Sequence, residues 1–231
     1  MQAVILAGGL ATRMRPRTLT VAKAMLEVAG RPFVDWQLEK LARSGYSDVV
    51  LCVAFLGEQI RDHVGDGERY GLQVRYSDEG EALLGTAGAL RVALPLLEAS
   101  FLVTYGDSYL PFDYGEPLRV LLENTDCDGV MSVFPNQGRW DASNTKTDGV
   151  RVLAYEKGTR DAAFDHIDYG ALALRRSVVE PLPLGERHGL EELQTRLAEA
   201  GRMRAVVAKE RFYEIGSEEG WAALDARLRS A

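Results

Sequence analysis

The chain has 231 residues, 46% of them hydrophobic, which is enough apolar material for one globular domain with a substantial core. Its 27 Lys and Arg stand against 34 Asp and Glu, a formal net charge of -7, and no basic run offers the attraction that coating nucleic acid or lying on a membrane would need. Cys52 and Cys127 are too few for a disulfide framework, no apolar stretch approaches membrane-spanning length, and Met1 to Ala7 lacks the basic start of a signal peptide, so a cytoplasmic setting is expected.

In chain order the apolar runs "AVILA", "DVVLCVA", "LQVRYS" and "SFLVTYG" read as strands, separated by the helical patterns "PFVDWQLEKLARSG", "GEQIRDHV" and "TAGALRVALPLL". In the first of these helices Val34, Leu38 and Leu41 share a face, and Gly45 is a suitable stop. With "GEPLRVLLEN" the βαβ rhythm extends over the first 130 or so residues and predicts a mostly parallel, doubly wound sheet with right-handed crossovers. After residue 136 the pattern changes. "NQGRWDASNTKTDG" is a polar, turn-rich excursion, "VRVLAYE", "DYGALALR" and "RAVVA" read as strands, and "SEEGWAALDARLRS" reads as a closing helix with Ser217 as N-cap.

The stretch "LAGGLATRMRP" follows directly on the first strand, so Gly8 and Gly9 fall just past its carboxyl end, the edge at which open α/β sheets bind ligands. Amides in such a glycine-rich loop form a nest for an anion, and glycine lets the anion approach where a Cβ would clash. Neither G-x-G-x-x-G nor G-x-x-x-x-G-K-[ST] is present, which removes most support for dinucleotide binding and for P-loop chemistry. What remains places Thr12, Arg13 and Lys23 near these amides, a set suited to a triphosphate.

"LAGGLATRMRP" followed by "AKAMLEVAGRPFVDWQLEKL" resembles the signature of the sugar-1-phosphate nucleotidylyltransferases, L-A-G-G-x-G-T-R-[LM]-x-P with a lysine about ten residues on. The likeness continues in order through "LGTAGAL", "VTYGDSYL", "YEKG" and "FYEIGSEEG", over almost the whole chain. In length, in "WDASN" and in "IDYGALAL" the chain is most similar to the short branch of heptose-1-phosphate guanylyltransferases, and in length also to muramic acid phosphate uridylyltransferases. The resemblance implies a Rossmann-like α/β fold of the GT-A-like type, one nucleotidyltransferase domain over 1–231. Its nucleotide-binding half would run to about 135, and a small β-rich sugar-phosphate-binding half would span about 136–231.

The resemblance also implies roles. Leu6, Ala7, Gly8, Gly9, Thr12 and Arg13 would hold the triphosphate, with Gly85, Thr86 and Gly88 facing base and ribose. Arg13 and Lys23 would neutralise the departing pyrophosphate, Asp107 and Glu214 would bind Mg²⁺, and Lys157 would grip the sugar phosphate beside Glu156, Asp168, Tyr169 and Gly170. Arg13, Lys23, Asp107 and Lys157 are thus the expected catalytic set. Four positions depart from the family pattern: Ala11 replaces a loop glycine and suggests a stiffer loop, Gly158 replaces a proline, Glu214 stands where aspartate is usual, and Ala22 likewise replaces a proline.

The implied reaction joins a nucleoside triphosphate, GTP favoured through Glu79 or Glu81, to a heptose or mannose-like 1-phosphate; a homodimer is a further partner expectation. Competing readings are a nucleotide-sugar-dependent glycosyltransferase, for which the usual D-x-D is lacking, and a non-catalytic nucleotide-binding relative. Asp107 could also be a helix N-cap. His63, His166 and His188 lack metal spacing, and Trp36 and Trp221 fall in helical patterns as core or interface residues.

Overall fold

The structure is a computed structural model and describes residues 1–80, 82–136 and 138–230. Strand β1 (Gln2–Leu6) is covered on both faces, and its alternation divides the core: Ala3 and Ile5 join one apolar cluster, Val4 the other. The short strands β2 (Glu27–Val28) and β3 (Arg31–Pro32) form a hairpin that leads into α1 (Phe33–Arg43). Helix α1 stops where the sequence places its glycine. Gly45 has φ 85°, its N–H donates to Ala42 O at 3.0 Å, and Tyr46 N–H donates to Leu41 O at 3.1 Å, which satisfies carbonyls the helix leaves open.

Then follow β4 (Asp48–Val53), α2 (Gly57–Val64), β5 (Gln73–Asp78), α3 (Gly85–Ala93), β6 (Ser100–Tyr105), β7 (Ser108–Tyr109), α4 (Gly115–Glu123) and β8 (Gly129–Pro135). The remainder comprises β9 (Thr145–Thr147), β10 (Val152–Tyr155), β11 (His166–Arg175), α5 (Leu190–Glu199), β12 (Met203–Val207), β13 (Tyr213–Glu214) and α6 (Glu218–Arg229). Ser217 caps α6 as expected, its Oγ accepting from Gly220 N–H at 3.1 Å.

Among the described residues the main sheet runs β5-β4-β1-β6-β11-β8-β12, with β9 and β10 attached to β11 at His166. Strands β5, β4, β1 and β6 are parallel, β11 is antiparallel to β6 and β8, and β12 is parallel to β8. The result is a mostly parallel sheet with helices on both faces, as the alternation of elements predicts. Val34 and Leu38 of α1, Ile60 of α2 and Leu118 of α4 cover one face; Leu90 of α3 and Leu193 and Leu197 of α5 cover the other. Each such fully buried leucine contributes roughly 1.5–3 kcal/mol. A third cluster, with Phe33, Ile215, Leu224 and Leu228, fastens α6 to the β2–β3 hairpin. Trp36 and Trp221 pack at its edge, their Nε1–H groups donating to Val28 O and Glu27 O.

Helix α5 is absent from the sequence reading, although Leu190, Leu193 and Leu197 are buried at helical spacing. The strand expected over "VRVLAYE" is shorter. Arg151 makes an isolated bridge to Arg204, and β10 proper begins at Val152. No helix among the described residues is long and apolar enough to cross a membrane.

Candidate active site

The carboxyl ends of β1, β4 and β6 open into a cavity of about 460 Å³ lined by Leu6, Ala7, Gly8, Gly9, Thr12, Lys23, Gly85, Thr86 and Asp107, all expected there, and by Glu79. The two loop glycines serve different ends. A Cβ on Gly8 would lie 2.8 Å from Glu79 Oε1 and 3.2 Å from Ala54 Cβ, whereas one on Gly9 would meet nothing within 4 Å. Gly8 is therefore a packing requirement, and Gly9 borders open space. The N–H groups of Gly8 and Gly9 make no hydrogen bond among the described residues, so they remain as donors for an anion. Ala11 adopts the left-handed conformation, φ 48° and ψ 41°, and Thr18 Oγ1 holds the turn by donating to its carbonyl at 2.8 Å.

Asp107 follows β6 at a turn held from below. Gln37 of α1 donates its Nε2–H to Tyr105 O at 2.7 Å and to Ser108 O at 3.0 Å. Gly106 donates its N–H to Leu6 O at 2.9 Å, and a Cβ there would sit 2.9 Å from the same oxygen. A two-residue strand, not a helix, follows Asp107, so the N-cap reading of that residue fails. Strand β7 pairs with β13, placing Ser108 opposite Glu214, and Ile215 N–H donates to Asp107 O at 2.9 Å. The end of the chain thereby brings Glu214 beside Asp107.

Two cations enter the same space. Lys23 Nζ donates to Asp107 Oδ2 at 2.5 Å, and a Cβ on Gly216 would lie 3.1 Å from Arg13 Nη2 and 3.6 Å from Lys23 Nζ. Burial, and after it the Asp107 carboxylate, pushes the Glu214 pKa up to about 7, while Lys23 and Arg13 pull it down. Solvent still reaches Glu214, so the shift reflects a concave, acid-flanked position rather than full enclosure. Two facing carboxylates that repel one another fit a divalent cation. Among the described residues no group of three or more His, Cys, Asp or Glu could hold a metal ion, so phosphate oxygens and water would have to complete an Mg²⁺ shell.

Of the residues expected near the base, Glu79 has its Oε2 accepting from Leu84 N–H at 2.7 Å and burial raises its pKa; Glu81 lies outside the described residues. Gly85 has φ 76°, and a Cβ there would meet His188 O at 2.6 Å. Gly88 does not face the cavity as expected. A Cβ on it would lie 3.0 Å from Glu186 O, and both Ala87 N–H and Gly88 N–H donate to His188 O, so this glycine serves helix-to-loop packing. Thr86 lines the cavity while its Oγ1 accepts from Leu190 N–H at 2.7 Å. The same 186–190 segment carries Arg187 into the cavity wall, a residue the sequence reading passes over because it lies about 100 positions from the loop it joins.

Of the residues expected at the sugar phosphate, Lys157 is exposed, with Nζ 3.8 Å from Glu191 Oε2, and Glu156 is exposed beside it. Asp168 accepts from Gly170 N–H at 3.0 Å and from Gln194 Nε2–H at 2.7 Å, and its own N–H donates to Asn144 Oδ1 at 2.8 Å. Burial raises the Asp168 pKa, opposed by the Gly170 and Gln194 donors and by Lys157. Gly170 sits in the irregular stretch of β11 with φ 95°, and the Tyr105 ring lies 3.5 Å from where its Cβ would be. Tyr169 does not join this group. Strand alternation turns its ring into the core, where it is 1% exposed among Phe112, Phe134 and Phe212. The three histidines pair with carboxylates: His63 with Asp35, His166 with Asp165, His188 with Glu192.

The model of the nucleotidyl transferase family matches residues 2–139, more than half of the chain, and the chain belongs to that family. It is 45% identical over 115 residues to an N-acetylmuramate alpha-1-phosphate uridylyltransferase of Neisseria meningitidis, a match covering 49% of this chain and 50% of that one. The chain thus spans about half the length of that relative. Over 221 residues it is 26% identical to a D-glycero-alpha-D-manno-heptose 1-phosphate guanylyltransferase of Campylobacter jejuni, covering 96% and 97% of the two chains. The crystal structure of HddC from Yersinia pseudotuberculosis complexed with GMP-PN superposes with a TM-score of 0.81 at 26% identity, covering 98% of this chain and 99% of that one.

Proposed function

We propose that the protein transfers a nucleotidyl group from a nucleoside triphosphate to a sugar 1-phosphate, with GTP as donor and a heptose or mannose-like 1-phosphate as acceptor. The observation that carries this reading is the convergence of Arg13, Lys23, Asp107 and Glu214 at the rim of a cavity floored by the Gly8–Gly9 loop. An oxygen of the acceptor phosphate attacks the α-phosphorus, a new P–O bond forms, and the bond to the bridging oxygen breaks with its electron pair leaving on pyrophosphate. Both partners are anionic, so charge neutralisation and positioning supply the catalysis. No general base is needed, because the attacking oxygen is already ionised.

Arg13 and Lys23 meet the charge that grows on the departing pyrophosphate, and Lys157 holds the acceptor phosphate in line. Asp107 and Glu214 would hold Mg²⁺, which when bound supplies further neutralisation of the triphosphate. Glu79 has its Oε2 occupied by Leu84 N–H, leaving Oε1 on the Gly8 side to accept from the N1–H and 2-amino group of guanine. The resemblance to the heptose-1-phosphate guanylyltransferase and to the GMP-PN complex supports the same donor. A screen of several nucleoside triphosphates against a panel of sugar 1-phosphates, read by pyrophosphate release, tests the reading. Release that requires both substrates is expected and separates it from a glycosyltransferase. No pyrophosphate from any pair overturns it.

A further inference from the structure

Helix α2 is pressed onto β4 at its start, where a Cβ on Gly57 would lie 2.9 Å from Val53 Cβ, and Ile60 and Val64 bury its inner face in the core. Beside them Gln59 is half-buried and reaches the segment that carries Lys23. Its Nε2–H donates to Thr20 O at 2.8 Å, and its Oε1 accepts from Ala22 N–H at 2.9 Å. One side-chain amide thus holds two backbone groups two residues apart, the spacing at which a parallel strand would engage them. Immediately beyond, Ala22 O and Lys23 O accept from Met25 N–H at 2.8 Å and Leu26 N–H at 3.1 Å, and Ala22 and Ala24 are buried on either side of Lys23. The main chain at Lys23 is therefore fixed from both directions. Gln59 supplies the upstream half, next to the exposed Leu19 and Thr20.

Ala22 has φ -58° and ψ 139°, a backbone that a proline ring would impose by itself, at the position where the family pattern has proline. Alanine leaves φ free and adds an N–H, which at a residue 3% exposed needs a partner. We propose that Gln59 is a positioning residue for Lys23: its paired hydrogen bonds fix segment 20–22 and so hold the Lys23 ammonium ready for the triphosphate. Gln59 does not line the cavity, so it acts on phosphate through Lys23 alone. With the segment loosened, the ammonium would have to be ordered at the moment of binding, and the triphosphate would be held more weakly. The inference rests on the transfer reading, which puts Lys23 on phosphate, and adds the residue that sets it.

Calorimetric titration with non-hydrolysable analogues of GTP and UTP provides the test. Gln59→Ala, at a half-buried helix position that alanine suits, should weaken the better-bound analogue about tenfold while KM for the sugar 1-phosphate stays unchanged. A proline ring at residue 22 would place its Cδ where the N–H now meets Gln59 Oε1, so it fits only once the glutamine is shortened. Ala22→Pro combined with Gln59→Ala should therefore restore affinity to within about twofold of native, whereas Ala22→Pro alone should weaken it. In a Lys23→Met background, Gln59→Ala should change nothing further. An affinity unmoved by Gln59→Ala, a loss that Ala22→Pro fails to restore, or a tenfold loss that persists with Lys23→Met overturns the proposal. Failure of the native protein to bind either analogue overturns it as well. Binding without pyrophosphate release from any acceptor would instead defeat the transfer reading, and the binding cycle still decides the role of Gln59.

Discussion

Lys23 Nζ lies 2.5 Å from Asp107 Oδ2, so in the free protein the cation proposed to meet phosphate and the carboxylate proposed to hold metal form an ion pair with each other. On the proposed reading, a bound triphosphate would compete for Lys23 and release Asp107 to a divalent ion. Manganese should therefore bind weakly to the protein alone and about tenfold or more tightly with a non-hydrolysable nucleotide, followed by electron paramagnetic resonance. Lys23→Met should bind manganese better than the native chain when nucleotide is absent. If nucleotide leaves manganese affinity unchanged, the exchange of partners does not occur.

Glu214 gives a pH dependence whose sign is fixed. Its pKa of about 7 stands above the ordinary 4.5, so the folded metal-free protein holds this proton more tightly than the unfolded chain. The resulting stability is complete below about 4.5 and is lost as pH rises through about 7. Between pH 5 and 8 the Tm of the metal-free native protein should fall relative to Glu214→Gln, and metal affinity in the presence of nucleotide should rise over the same interval. Glu214→Gln should also cut turnover strongly, with Asp107→Asn behaving alike and the double variant little worse than either. A difference in Tm that is flat with pH contradicts the assignment.

Arg13 packs its guanidinium against Gly216 and acts on Glu214, at the mouth of the site rather than in the cavity wall. Arg13→Ala should lower kcat on the order of 10²-fold with the circular dichroism spectrum unchanged, because pyrophosphate gains charge as it departs. Turnover near the native rate would take Arg13 out of the reaction.

Lys157 is two-thirds exposed and anchors nothing in the core, so its removal should leave stability intact. Lys157→Ala should raise KM for the sugar phosphate by about tenfold or more, with KM for the nucleotide little changed. Equal increases in both would show that the ammonium serves the triphosphate instead.

Ala11 is held at positive φ with a Cβ that this conformation disfavours. Ala11→Gly should stabilise the fold by about 1 kcal/mol in urea denaturation, the relief of strain exceeding the entropic cost of glycine. A loss of stability would mean that the Ala11 methyl makes compensating contacts.

The continuous apolar runs of β1, β4 and β6 were legible because burial on both faces leaves little room for polar residues, and the glycines at the end of β1 located the cavity. The pairing of Asp107 with Glu214 was not legible from periodicity, since two-residue strands such as β7 and β13 are too short to show one; the family motif alone joined them. Gly88 misled because a glycine that admits a ligand and one that admits a neighbouring carbonyl look alike in sequence. Tyr169 stood beside Asp168 in the chain and therefore on the opposite side of the strand. Helix α5 carried an adequate leucine pattern, and overlooking it hid Glu191 and Gln194.

His188 is pinned at both ends of its peptide unit, its N–H to Leu84 O and its carbonyl to two amides of α3. One residue before it Arg187 lines the cavity, and three residues after it Glu191 faces Lys157. On the proposed reading, a single anchored crosspiece thus serves both substrates. Insertions or deletions within 186–191 would shift both side chains at once, so a lineage that changes its nucleotide by altering the length of this segment changes its sugar in the same event. Point substitutions at Arg187 or Glu191 leave the anchor in place and let the two preferences evolve apart.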